Sequence, residues 1–165
     1  MASGIRLSTT SSNISRPPRA ATRRPTQPTR VAVIQIGLDP DVIDYGAADF
    51  AQFAGLTKEK LRKANDDNVA GLHAAGYDVD NCLIDFGEAG AAKAGRWLAA
   101  RHYDAVLIGA GIRLVPRNTL LFESIVNTAH AMQPHCRFVF NYAAASTPND
   151  ISRWYPDPAD PTPSH

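Results

Sequence analysis

Apolar residues fall along this chain in short blocks separated by amphipathic stretches. Val31-Ala-Val-Ile-Gln-Ile36 is a β-branched run closed by Gly37 and predicts a first strand. Ala105-Val-Leu-Ile108 and Phe138-Val-Phe140 are continuous apolar runs, as expected of parallel strands covered on both faces. The second of these belongs to a strand read from Arg137 to Asn141. Asp78 to Ile84 is more polar, with Val79 and Cys82 interrupting aspartate and asparagine, and suits a sheet edge.

Between these runs the spacing becomes helical. Thr57 is an N-cap, with Leu56 and Leu61 at the positions of a hydrophobic staple, for a helix running to about Ala75 and closed by Gly76. Glu88 to His102 forms a second helix with Ala91, Ala94 and Leu98 as its buried stripe and Arg96, Arg101 and His102 toward its C-terminal end, where the dipole favours cations. Pro116 and Asn118 open a third, in which Leu121, Ile125, Thr128 and Met132 recur at helical spacing until Pro134 ends it. Thr147-Pro-Asn-Asp150 has the form of a capped start for a short terminal helix containing Trp154. Roughly twenty residues, Leu38 to Leu56, separate the first strand from its helix. Connections in such units are usually about 2 to 6 residues, so this one predicts either a functional lid or an unresolved short helix.

Strands alternating with helices require right-handed crossovers, which place helices on both faces of a mainly parallel sheet. The expectation is a three-layer α/β/α sandwich of Rossmann-like or flavodoxin-like type, with four strands in the order 2-1-3-4. In that order the winding reverses between the first and third strands, and open α/β sheets bind ligands in the crevice at such a point.

Composition divides the chain. Residues 1–30 hold six arginines (Arg6, Arg16, Arg19, Arg23, Arg24 and Arg30) and no acid, although the whole chain of 165 residues carries a net charge of only +1. The remainder has 11 basic against 16 acidic residues, a balance of −5 that gives the folded body no general attraction to nucleic acid. The domain expectation is a disordered Arg/Ser/Pro-rich tail over 1–30, one α/β domain over 31–155 and a loose end over 156–165. The tail also suits a transit peptide, so the mitochondrion is the alternative to the cytoplasm. No apolar run approaches the roughly 18 residues needed to span a bilayer. Cys82 and Cys136 fall in two predicted strands without metal or redox spacing and read most simply as buried reduced thiols.

The candidate chemistry lies after the first and third strands. Gly109-Ala-Gly-Ile-Arg-Leu-Val-Pro-Arg-Asn118 combines a glycine turn, two cations and a helix start, so Gly109, Gly111, Arg113 and Arg117 are candidate anion-binding residues. Gly37, Asp39 and Asp41 face them across the crevice, and Asn141 at the end of the last strand lines it. Arg113→Ala is expected to weaken an anionic ligand by at least about 1 kcal/mol. The loop is neither a dinucleotide fingerprint, since Leu114 stands where the third glycine belongs, nor a Walker loop. The acidic loop holding Asp39, Asp41 and Asp44 disfavours a flavin phosphate, and Gly109 stands where a phospho-accepting receiver needs aspartate. Those aspartates suit a hard cation or a general base, but Asp-Pro turns and N-cap carboxylates account for them more simply. No metal site or cofactor is assigned. There is no nucleophile elbow and no histidine at a predicted strand end, which leaves catalysis undecided.

Glu123, Asn127 and His130 share one face of the third helix and form a candidate interaction surface. The combination Ile108-Gly-Ala-Gly-Ile-Arg113, Leu121-Phe-Glu-Ser-Ile125, Asn127, His130 and Phe140-Asn141 resembles a group of small uncharacterised α/β proteins of bacteria and fungi, over residues 31–142. The resemblance implies the fold, supplies no activity, and groups Arg113, Glu123, Asn127, His130 and Asn141. The leading expectation is a domain that binds a small phosphate- or carboxylate-bearing ligand between the first and third strands. Its rival is a homo-oligomeric or protein-interaction module using that helix face or the loop aromatics Tyr45, Phe50 and Phe53. A hydrolase or transferase using the loop carboxylates is the third reading.

Overall fold

The computed structural model describes residues 30–156, so the two expected tails lie almost wholly outside the described residues. Four strands, β1 (Ala32–Leu38), β2 (Asp78–Ile84), β3 (Ala105–Ile108) and β4 (Arg137–Phe140), form one sheet. All pair in parallel, in the order β2-β1-β3-β4. The polar strand is therefore at an edge and the two most apolar ones are central, as burial on both faces requires.

Alternation along β1 divides the core. Ile34, Ile36 and Leu38 pack with Ala94 and Leu98 of α2 (Gly87–Ala100) and with Leu121, Ile125 and Ala129 of α4 (Thr119–Met132). Val33 turns the other way and packs with Leu107, with Leu72 of α1 (Lys58–Ala74) and with Ile151 of α5 (Thr147–Ser152). Two helices cover each face, giving the three-layer α/β/α architecture of Rossmann-like and flavodoxin-like folds. Among the described residues no helix is long and apolar enough to cross a membrane.

Several local expectations are corrected. β1 runs through Gly37 to Leu38 because β2 supplies register partners, Leu83 and Ile84, that a single strand cannot announce. The glycine turn after β3 is instead a short helix, α3 (Ala110–Arg113), with Gly109 extended as its N-cap residue. α2 stops at Ala100, and Arg101 reaches back to Asp78 and Asp80 of β2 at 2.5 and 3.5 Å. The buried stripe of α4 ends in Ala129, since Met132 is half-exposed. Trp154 lies beyond α5, with the Arg137 guanidinium 5.0 Å over its ring. Cys136 precedes β4 and is only half-buried, and both cysteines are free.

The long connection contains one 3-10 turn, Ala48–Phe50, and folds inward. Phe50 is buried in the core, with Tyr45 and Phe53 packed half-buried beside it. Of the three aromatics offered as a docking surface, Phe50 is therefore withdrawn into the core, whereas Tyr45 and Phe53 keep part of their surface open.

Candidate functional site

Where β1 and β3 end, the inward-folded connection stands away from the sheet and leaves a cavity of about 650 Å³. Gln35 to Leu38, Gly109 to Gly111, the loop residues Ile43, Phe50 and Phe53, and Lys60, Leu61 and Asn65 of α1 contribute to its walls. The segment Asn141 to Ala144 closes the side toward β4. A side chain built on Gly37 would meet nothing within 4 Å, so the glycine keeps this space open. Gly111 abuts the opposite wall, its built Cβ 3.6 Å from Leu38 Cδ1 and 4.0 Å from Phe50 Cε1.

The chemistry of the walls is uneven. Leu38, Ile43, Phe50 and Phe53 make one side apolar, whereas Gln35 and Asn65 bring amides to another. Gln35 is 4% exposed in the middle of a central strand. Its Nε2 donates to Asn65 Oδ1 and to Asn81 Oδ1, each at 3.4 Å, while its Oε1 is buried without a partner. Among the described residues Lys60 is the only charged side chain in the walls, and its Nζ donates to the Gly55 carbonyl at 2.7 Å, which leaves two N–H donors free of that bond.

Of the residues expected from sequence, Gly37, Gly109, Gly111 and Asn141 meet at this cavity and the charged ones do not. Asn141 is buried and fixed: its Oδ1 accepts from the Ala110 amide at 2.8 Å and its Nδ2 donates to Thr147 Oγ1 at 3.0 Å. Arg113 Nη2 donates to the Asn141 carbonyl at 2.8 Å, and its guanidinium lies 5.4 Å over Phe140. Arg117 bridges Asp49 at 3.2 Å and covers Phe86 and Phe50 at 4.8 and 5.6 Å. It braces the connection from outside. Arg113 closes α3, which carries it past the crevice, and Arg117 follows in a separate 3-10 turn, Pro116–Asn118.

The loop carboxylates are also engaged. Asp39 Oδ1 accepts from the Asp41 amide at 3.0 Å in an Asx-type turn, and Asp44 does the same for Gly46 at 2.9 Å. Asp41 bridges Lys58 and Arg62 at 2.6 and 2.9 Å, and hydrogen bonds from these two cations hold its carboxyl below the usual range. Among the described residues no group of three or more His, Cys, Asp or Glu side chains is placed to hold a metal ion. Glu123, Asn127 and His130 are exposed along α4, away from the cavity walls.

Sequence reasoning missed Gln35, Lys60 and Asn65. A signal existed for the amides: Gln35 is the one polar residue inside the first apolar run, and Leu61, Asn65, Asn68 and Leu72 recur at helical spacing on one face of α1. Amides on a buried stripe need partners. No family model, no curated protein and no solved structure matches this chain.

Proposed function

We propose that this protein is a binding domain for a small anionic molecule. The ligand's apolar body occupies the cavity at the ends of β1 and β3, and its negative group meets Lys60. The observation that carries this reading is the wall itself: a hollow of about 650 Å³, apolar on one side, with a lysine and no carboxylate among its lining residues. That volume and mixture are typical of small-molecule sites, and the position is the switch point at which open α/β sheets bind ligands. The anionic preference expected from the sequence is kept, with Lys60 in the part given to Arg113.

Ligand-observed NMR with benzoate, indoleacetate and their methyl esters tests the reading. The acids should bind in preference to the esters, and Lys60→Ala should lower their affinity by up to about fivefold, the upper range for an exposed ion pair. Gly37→Leu, which sends a side chain into the open space, should abolish binding of both. Esters that bind as well as the acids would reject the anionic preference, and unchanged binding in Gly37→Leu would reject the cavity.

A further inference from the structure

We infer that Tyr142 is the outer contact of this site and that the ligand's apolar body is an aromatic ring stacked on it, so that aryl acids are selected over saturated acids of the same size. The inference rests on the cavity being an anion site and adds the chemical class of the body that fills it. Tyr142 directly follows the buried Asn141 and belongs to the cavity wall, yet 78% of it is exposed. Among the described residues no ring packs on it and no group bonds its hydroxyl. A tyrosine so placed leaves a large apolar face in water at the mouth of a hollow that is apolar on one side.

The backbone that carries this ring is held on both sides. Asn141 is locked through its side chain to Ala110 and Thr147, and its carbonyl accepts from Arg113 Nη2. Two residues beyond Tyr142, the Ala144 carbonyl accepts from Asn68 Nδ2 of α1. The main chain at Tyr142 is thereby fixed while the ring stays uncovered, and a tyrosine has only two side-chain torsions to settle when a partner arrives. That combination gives a stacking platform at low entropic cost. Aromatic surface also lines the wall contributed by the long connection, where Phe50 and Phe53 lie with ring centroids 6.1 Å apart. Against aromatic walls a flat ring gains offset or edge-to-face contacts that a saturated ring of equal area does not, an increment of about two- to tenfold in affinity.

Ligand-observed NMR titrations of benzoate and cyclohexanecarboxylate test this, since the two acids share their charge, nearly share their size and differ in the ring face. In the unmodified protein benzoate should bind at least about threefold tighter. Tyr142→Leu keeps an apolar side chain at an exposed position and should cut that ratio by at least about half, whereas Tyr142→Phe, which keeps the ring, should preserve it. If both acids bind but the ratio in the unmodified protein is smaller, the aromatic preference fails and the anion-binding reading stands. A ratio that does not fall in Tyr142→Leu would assign the preference to Phe50 and Phe53 and overturn the part given to Tyr142. If neither acid binds, the anion-binding reading falls as well.

Discussion

Arg113 is the residue whose chemistry is most easily misjudged. A guanidinium after a glycine pair at a strand end invites an anion, yet here it serves the fold: it donates to the Asn141 carbonyl at 2.8 Å and lies over the Phe140 ring. Both contacts tie the end of β4 to α3. Removing them should cost about 2 to 4 kcal/mol, the sum of a hydrogen bond from a charged group and a cation–π contact. Arg113→Ala should therefore lower the urea midpoint while leaving benzoate affinity within about twofold. A variant of unchanged stability and lost affinity would return Arg113 to the site. The glycines and Asn141 were legible at this scale because their position after a strand is independent of direction. The arginines were not, since a side chain's aim depends on the turn of helix that carries it.

The turn from β2 into α2 shows how one element constrains another. Gly87 adopts a φ of +61°, which reverses the chain tightly enough that a Cβ on Gly90 would lie 1.9 Å from the Asp85 carbonyl oxygen. By helix propensity alone, alanine at Gly90 should stabilise α2 by about 1 kcal/mol. The clash with backbone is the larger effect, because neither the strand end nor the first helical turn can shift freely, and overpacking of this kind costs about 1 to 3 kcal/mol. Gly90→Ala should thus be destabilising in urea titrations, whereas Gly71→Ala, on an exposed part of α1 with nothing within 4 Å of its built Cβ, should be neutral or stabilising. A stabilised Gly90→Ala protein would show that the turn relaxes. The major strands and the longer helices could be read from the sequence because their periods repeat over several turns or run apolar throughout. α3 could not. It is four residues long, too short for a period, and its first amide is met by Asn141, thirty-one positions away.

Across the whole molecule the groups displaced most clearly by burial are acids that prefer to stay neutral. Burial pushes the Cys82 thiol up to about 11 from 9.0. It raises Cys136 and Tyr155, and it raises Tyr103, whose hydroxyl also donates to Asp80 Oδ2 at 2.6 Å. Tyr45 moves the same way, through burial and then the nearby Glu59 carboxylate. Every one of these groups has a folded pKa above its unfolded value. Well below pH 9 the Cys82 thiol is protonated in both states and adds no pH dependence. As pH rises from 9.0 to about 11 the unfolded chain releases the thiol proton while the folded chain keeps it, so stability falls with pH. One such proton corresponds to about 1.4 kcal/mol per pH unit, or roughly 2 to 3 kcal/mol from Cys82 over the window, and the raised tyrosines prolong the decline. Urea midpoints measured from pH 7 upward should be level at first and then drop through this window. Cys82→Val, which keeps an apolar side chain of similar size between β2 and α2, should make the drop shallower. A midpoint that stays level to pH 11 would mean that the thiol ionises as readily in the fold as in the open chain, and that the face packed on α2 and α4 admits water.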